Sequence, residues 1–257
     1  MELKTLTLSV DAGIALVTLN RPPVNAQNAE MREEITRLFD LLSDRPDVAC
    51  IVLTGAGKVF SAGADIRERP NLADVPGAYG AHNRRVRESY NAVVECSKPI
   101  IAAINGAALG AGFGLVMASD IWVAAEGAYV STPEINVGLA GGVTFLQKFF
   151  SRSRARRMFY TGMNVSAQEL YRLGLVEACL PVDQLMPYCM EIARDIVSKS
   201  PIAMKLAKEA AQLTELMPMR DAYRYEQGNT VILSKTDASK EAQRAFLEKR
   251  APVYTGR

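Results

Sequence analysis

The sequence is short of the residues that usually bind metals. Its 257 residues include one histidine and four cysteines, and no two cysteines form a CxxC pair. Because protein zinc sites use several cysteine or histidine ligands at characteristic spacings, no metal site is expected. The separated cysteines predict buried free thiols in a reducing compartment. The first residues lack the basic segment of an export signal, so we expect a cytoplasmic protein.

The sequence also has little net charge, with 30 basic and 28 acidic residues. It lacks a Lys/Arg cluster interleaved with aromatic residues, so nucleic-acid binding is not expected. The densest basic run is RSRARR at 152–157. It predicts a solvated helix face or, alternatively, a contact with an anionic ligand.

Long hydrophobic runs are scarce, but residues 99–119 carry no charge and contain the segment NGAALGAGFG. About 20 apolar residues would span a bilayer. The run is nevertheless interrupted by Pro99, Asn105 and four glycines, so no membrane helix is expected. Leu115 breaks the dinucleotide-binding glycine pattern. The segment TGAGKVF is not a Walker loop because Val59 follows Lys58.

The remaining pattern predicts an α/β fold. KTLTLSV and IALVTLN flank a DAG turn and predict a hairpin, whereas AEMREEITRLFDLLSD has helical spacing. VACIVLTG and KPIIAAING read as buried strands, and a helix is expected from about residue 82 to 96. SDIWVAAEGAYVSTPE predicts two short strands. From about residue 167 the pattern is mostly helical, which indicates an α/β core followed by helices.

Two loops rich in small residues directly follow buried strands. One is FSAGADIRE at 60–68, and the other precedes a helix that we expect to begin near Ala111. A helix N-terminus leaves backbone N–H groups unpaired. Two such donors, one from each loop, can hold an oxygen that becomes negative during a reaction. Tight packing of helix on strand explains the glycines equally well at this point.

Together these stretches resemble the enoyl-CoA hydratase/isomerase family, the crotonase superfamily. The resemblance covers nearly the whole chain, from LNRPPVNAQN through VFSAGADI, KPIIAAINGAALGAG and STPEINVGL to AFLEKRAPVYTGR. It implies a spiral of ββα units over residues 1–195 and a C-terminal helical region over residues 196–257. It also implies assembly into a homotrimer or a dimer of trimers, an acyl-CoA substrate, and no cofactor apart from the coenzyme A of that substrate.

The resemblance also implies site residues. The backbone N–H groups of Ala64 and Ala111 correspond to the oxyanion hole that holds the thioester carbonyl. Gly110 and Gly114, on either side of Ala111, are implied substrate-binding residues. The residues implied to contact coenzyme A are Ala62, Ala64, Asp65 and Ile66 in one loop, with Phe246 and Lys249 reaching a neighbouring subunit's coenzyme A. For Lys249 a solvated helix charge is an equal alternative.

The acid–base residue implied by the family is Glu134, in STPEINVG. Family hydratases place a second glutamate where this sequence has Gly114. We therefore expect hydration or dehydration of a 2-enoyl-CoA, with double-bond isomerisation by Glu134 alone as the alternative. A non-catalytic acyl-CoA-binding protein also stays open.

Other polar and aromatic side chains near these loops are further candidates. Asp65, Glu68 and His82 are candidate substitute acids or bases, although a solvent-facing His82 and a loop-bonding Asp65 are the simpler expectations. Tyr79 and Tyr90 are similarly placed. Phe145 lies where a small residue is common, which predicts an altered acyl pocket.

Overall fold

A computed structural model describes residues 2–68, 72 and 74–254. Within them the strands are β1 (Leu6–Asp11), β2 (Ile14–Leu19), β3 (Cys50–Gly55), β4 (Val59–Ser61), β5 (Ile100–Ile104), β6 (Ala107–Leu109), β7 (Ile121–Ala125), β8 (Tyr129–Ser131), β9 (Val165–Ser166) and β10 (Ala178–Leu180). The α-helices are α1 (Ala29–Asp44), α2 (Ala78–Val94), α3 (Ala111–Ala118), α4 (Val143–Phe149), α5 (Arg152–Thr161), α6 (Ala167–Arg172), α7 (Val182–Val197), α8 (Pro201–Thr214), α9 (Met219–Ser234) and α10 (Asp237–Leu247). Two 3-10 helices cover Ile66–Glu68 and Pro133–Val137.

The larger sheet has the strand order β1-β2-β3-β5-β7-β10. β1 and β2 form the predicted antiparallel hairpin, and the following pairs are parallel. Every residue of β3 and β5 is buried. This burial explains why these strands read as continuous apolar runs rather than as alternating ones.

The smaller sheet has the order β4-β6-β8-β9. Each of β3, β5 and β7 is followed by a short strand of this second sheet, and helices follow those pairs. The ββα units implied by the resemblance are therefore present. The strands β4 and β6, of three residues each, were not predicted because their residues were interpreted as parts of the two loops rich in small residues.

The helices differ in how many of their residues are buried. Helix α1 buries seven of its residues, and all eight residues of α3 are buried. Helix α2 begins at Ala78, four residues before the predicted start, after Gly77 in a left-handed conformation. In contrast, α9 has no buried residue. None of the helices in the described ranges combines the length and apolar content needed to cross a membrane.

Three of the four cysteines are buried as expected, whereas Cys179 is only partly buried. Burial raises the pKa of Cys50 and of Cys189 to about 12. These two thiols are therefore neutral near pH 7 and act as small apolar groups in the core.

Candidate active site

A cavity of about 320 Å³ lies between α2, the start of α3, the loop after β4 and the 3-10 helix that carries Glu134. The predicted oxyanion-hole, turn and acid–base residues Ala64, Gly110, Ala111, Gly114 and Glu134 line it, and so do the further candidates Tyr79, His82, Tyr90 and Phe145. Its wall also includes Val86, Met117 and Leu139. Segments far apart in the sequence thus bring backbone donors, one carboxylate and an apolar wall together.

Two glycines allow the small-residue loops to touch. A Cβ atom on Gly63 would lie 2.5 Å from the carbonyl oxygen of Leu109 and 3.4 Å from the backbone nitrogen of Ala111. Gly63 also has a φ of +90° and Gly110 a φ of +49°, values that L side chains rarely adopt. Both glycines are therefore required for the approach of Ala64 to Ala111.

The backbone N–H groups of Ala64 and Ala111 are free of protein acceptors. Ala64 pairs with Gln27 in an isolated parallel bridge, and the bonds of that bridge run through the neighbouring Gly63 and Asp65. Ala111 is the first residue of α3, where no intrahelical acceptor exists. Among the described residues, none accepts a hydrogen bond from either N–H. Both donors remain available to a ligand in the cavity.

Gln27 joins the two loops, and sequence analysis missed it. Its backbone N–H donates to Gly63 at 2.7 Å, and its carbonyl accepts from Asp65 at 2.9 Å. Its side-chain Nε2 donates to the carbonyl oxygen of Ala111 at 3.0 Å. The side chain is fully buried. Because these bonds span up to 84 residues of sequence, no local pattern indicates them.

The carboxylate of Glu134 lies against Gly110. A Cβ atom on Gly110 would be 2.3 Å from Glu134 Oε1, so only glycine leaves room for the carboxylate there. The backbone N–H of Gly110 donates to the carbonyl of Ser131 at 2.8 Å, which ties the segment leading to Glu134 to the start of α3. Glu134 is thereby held beside Ala111.

The ring of Tyr90 occupies the space beside Gly114, the position where the family resemblance implies a second glutamate in hydratases. A Cβ atom on Gly114 would lie 2.7 Å from Tyr90 Cζ. The same ring packs edge-on against Phe145, with ring centroids 5.8 Å apart. Burial and then the charge of Glu134 raise the pKa of Tyr90 above its usual range, so its hydroxyl is neutral.

His82 does not face solvent, contrary to the sequence-based expectation. It is buried on α2 and lines the cavity, with its ring 6.0 Å from that of Tyr79. The helical pattern failed because α2 turns this polar residue toward a cavity rather than toward bulk water. Thr132 is a further cavity residue that sequence analysis missed. Its buried Oγ1 has no hydrogen-bond partner among the described residues.

The carboxylates of Asp65 and Glu68 bind groups of the loop and its neighbours and do not line the cavity. The Asp65 carboxylate binds Arg67 at 2.8 Å and Arg21 at 2.9 Å. These guanidinium groups, Arg67 first, hold the pKa of Asp65 well below its usual range. Glu68 accepts from the backbone N–H of Ala29 at 3.0 Å, at the start of α1. Neither carboxylate lines the cavity, so neither replaces the absent glutamate.

The remaining predicted contacts with coenzyme A lie outside the cavity. The N–H of Ala62 donates to Val24 at 2.9 Å, and the side chain of Ile66 is exposed. Phe246, on α10, is 83% exposed, and Lys249 is exposed just beyond that helix. Their roles toward coenzyme A stay predictions. In the described ranges, no three histidine, cysteine or acidic side chains are grouped so as to hold a metal ion.

Comparison with known proteins gives one consistent result. A family model described as Enoyl-CoA hydratase/isomerase matches residues 9–257. The chain is 35% identical to a probable mitochondrial enoyl-CoA hydratase of Dictyostelium discoideum, over 97% of this chain and 90% of that one. It is 34% identical to a carnitinyl-CoA dehydratase of Escherichia coli, over 99% of each chain.

Solved structures agree with the sequence matches. A crystal structure of an enoyl-CoA hydratase from Bacillus anthracis has a TM-score of 0.91 and 32% identity, and the match covers 99% of this chain and 100% of that one. The similarity extends over both sheets and the C-terminal helices. The chain belongs to the enoyl-CoA hydratase/isomerase family of the crotonase superfamily, whose fold it has.

Proposed function

We propose that this protein reversibly hydrates 2-enoyl-CoA thioesters, with Glu134 as the group that moves protons. The observation that carries the proposal is the position of the Glu134 carboxylate, which lies against Gly110 beside the free N–H of Ala111. The carboxylate and two unpaired backbone donors share one cavity. Relatives named as an enoyl-CoA hydratase and as a carnitinyl-CoA dehydratase support a reaction that adds or removes water.

The two N–H groups form the oxyanion hole in this proposal. The thioester carbonyl oxygen accepts hydrogen bonds from Ala64 and Ala111, which hold the negative charge that develops on it as an enolate forms. Removal of one such donor typically costs about 2.7–4 kcal/mol of transition-state stabilisation. Ala111 adds the positive end of α3 to the same oxygen.

Hydration then needs only one carboxyl group. Glu134 takes a proton from water while the water oxygen bonds to Cβ, and the electron pair of the C=C bond moves to the enolate oxygen. The protonated Glu134 next gives its proton to Cα, and the enolate pair returns to form the new C–H bond. Water has been added and Glu134 is again a carboxylate, so the reaction balances without a second acid.

The cavity favours a short acyl group. Its volume of about 320 Å³ is at the small end of the range for ligand pockets. The apolar side chains of Val86, Met117, Leu139 and Phe145 line it, and they suit a hydrocarbon chain better than a polar one.

Double-bond isomerisation is the second candidate. It is favoured by Gly114, which supplies no carboxylate at the position where family hydratases are implied to have one. Glu134 is the only carboxylate among the described residues of the cavity. A single base can remove a proton at one carbon of an enoyl-CoA and return it two carbons away. This shuttle needs no bound water and therefore no second polar group.

The proposal includes a homotrimer or a pair of trimers in the cytoplasm. It also includes coenzyme A contacts from Ala62, Asp65 and Ile66 and, across subunits, from Phe246 and Lys249. Its support is the apolar surface of the C-terminal helices, where Leu216, Met219, Phe246 and Leu247 are each at least 80% exposed. Such surfaces on a single chain usually mark contacts with another protein.

The test is a panel of 2-enoyl-CoA and 3-enoyl-CoA thioesters with product identification, repeated with Glu134→Gln. We expect 3-hydroxyacyl-CoA from the 2-enoyl substrates and a loss of about 10²–10⁴-fold in kcat in the variant, the usual contribution of general acid–base catalysis. Glu126→Gln, a change in an exposed turn, is the matched control and should keep full activity.

Three other outcomes would contradict the proposal. Interconversion of 2-enoyl and 3-enoyl isomers without hydration would establish the isomerase. Binding of the thioesters without turnover would establish an acyl-CoA-binding protein. Full activity in Glu134→Gln would remove Glu134 from the mechanism.

A further inference from the structure

The ring of Tyr90 and the missing side chain of Gly114 are complementary. A Cβ atom on Gly114 would lie 2.7 Å from Tyr90 Cζ and 2.8 Å from its hydroxyl oxygen. Any side chain at 114 would therefore displace the phenol. Gly114 thus does more than omit a carboxylate, because it makes room for another polar group at the same place.

Tyr90 and Glu134 face the same side of α3. Gly110, which contacts Glu134, and Gly114, which contacts Tyr90, are joined by a backbone hydrogen bond of 2.9 Å. Residues four apart on a helix lie one above the other, about 6 Å apart along its axis. The carboxylate and the phenol therefore lie about one helical turn apart, and both line the cavity.

The hydroxyl of Tyr90 is only weakly satisfied within the protein. Its contact with the carbonyl oxygen of Ala111 is 3.5 Å long, against a usual O–H···O distance of about 2.8 Å. Among the described residues it has no other hydrogen-bond partner. Its oxygen lone pairs remain free for a ligand in the cavity.

Two charged groups affect this phenol. Desolvation has the largest effect and raises the pKa of Tyr90, whereas the buried Arg32 lowers it and Glu134 raises it. Tyr90 consequently stays protonated over the working pH range of enzymes. A phenol in this state can hold a water molecule but does not act as a base.

We propose that Tyr90 positions the attacking water, in place of the second carboxylate that family hydratases are expected to have. This inference rests on the proposed hydration by Glu134. The phenol donates its proton toward the carbonyl of Ala111, and its oxygen accepts one hydrogen of the water.

The water is then held by both of its hydrogens. One hydrogen bonds to Tyr90 and stays on the water, and the other bonds to Glu134 and is transferred. The water oxygen, left with its lone pair toward Cβ, forms the new C–O bond as described above. Tyr90 gains and loses no proton in the cycle, and a neutral acceptor avoids the repulsion that two carboxylates in one cavity would experience.

The test separates water placement from proton transfer at Cα. Tyr90→Phe keeps the ring that fills the space at Gly114 and removes only the hydroxyl. Tyr188→Phe makes the same change on α7, outside the cavity, and is the matched control. Two rates are measured for each protein: hydration of a short 2-enoyl-CoA, and exchange of the Cα proton of the corresponding saturated acyl-CoA in D₂O, followed by NMR.

We expect Tyr90→Phe to lower kcat for hydration by about 10- to 100-fold, the effect of one hydrogen bond to a reacting group. KM and the Cα exchange rate should stay within about threefold of wild type, because exchange needs only Glu134 and the two N–H groups. Tyr188→Phe should change neither rate.

Two results would overturn the role of Tyr90 while leaving the proposed function in place. One is hydration within about twofold of wild type in Tyr90→Phe, and the other is an equal loss of hydration and exchange, which would indicate a structural role. A wild-type protein that exchanges the Cα proton but does not hydrate would overturn both proposals.

Discussion

At the scale of single residues, Asp65 is held by two arginines. Its buried carboxylate binds Arg67 and Arg21, and its backbone N–H donates to Gln27. Because Asp65 directly follows Ala64, these bonds hold the segment that carries the Ala64 N–H against Gln27. In the proposed mechanism, a carboxylate that takes no part in the chemistry thus helps to hold a donor that does.

We predict that Asp65→Asn lowers the free energy of unfolding by about 1.5–3 kcal/mol at pH 7, the range for hydrogen bonds to charged groups. The folded-state pKa of Asp65 lies below that of the unfolded chain. Its stabilising effect is therefore complete above about pH 4 and is lost as the pH falls further.

Urea unfolding at a series of pH values measures this effect. The difference between wild type and Asp65→Asn should narrow below about pH 4. Asp40→Asn, a change on the exposed side of α1, should leave stability nearly unchanged throughout. If the difference in free energy of unfolding between wild type and Asp65→Asn does not depend on pH, the charge of Asp65 does not stabilise the loop.

At the scale of elements, the first turns of α3 are shaped by what packs against them. Gly110 contacts the Glu134 carboxylate, Gly112 contacts the backbone of Ser61, and Gly114 contacts the ring of Tyr90. Gly112 therefore serves packing, whereas Gly110 and Gly114 make room for polar groups of the cavity. The glycine-rich segment combines both explanations that its sequence left open.

Tyr90 on α2 packs against Gly114 on α3. A substitution at position 90 should therefore restore activity that a larger residue at position 114 removes. Gly114→Glu alone should abolish hydration, because the new side chain meets the ring of Tyr90. The double variant Tyr90→Ala, Gly114→Glu removes that clash and supplies a second carboxylate. We expect it to recover at least about tenfold in kcat/KM over Gly114→Glu.

Steady-state kinetics of the two single variants and the double variant measure the coupling between the sites. If the losses in kcat/KM of the two single variants simply add in the double variant, the two positions are not coupled and the prediction is wrong. A Gly114→Glu variant that is as active as wild type would also contradict it, since the ring would then not occupy the space.

The sequence predicts this region only in part. The motifs that carry the family resemblance indicated Ala64, Ala111 and Glu134, and the structure brings these three residues to one cavity. Their roles stay predictions. Gln27 was missed, His82 was expected to face solvent, and Tyr90 was named only as a candidate near the loops. Their contacts depend on helices that pack across long stretches of sequence, and a helical period does not tell which buried neighbour a side chain will meet.

At the scale of the whole molecule, the two ends of the chain are stabilised differently. The sheets and the helices α1, α3 and α7 enclose the core, whereas α9 buries no side chain. Met219 on that helix is 88% exposed and Ile232 is 52% exposed. Exposed apolar side chains of this size are unfavourable in water unless another surface covers them.

We predict that the protein in solution has a mass three or six times that of one chain, measured by light scattering during gel filtration. Met219→Lys combined with Ile232→Lys should lower the mass toward that of one chain while the circular dichroism of the core is kept. Lys235→Glu, an exposed change at the end of α9, is the control. A wild-type protein with the mass of one chain would contradict the proposed assembly.

The central claim is that Ala64, Ala111 and Glu134 act on one thioester, and a crystal structure with a bound saturated acyl-CoA tests it most directly. We predict that the thioester oxygen lies about 2.7–3.1 Å from both backbone nitrogens, with Cα about 3–3.5 Å from the Glu134 carboxylate. A thioester oxygen that contacts neither nitrogen, or a Cα turned away from Glu134, would contradict it.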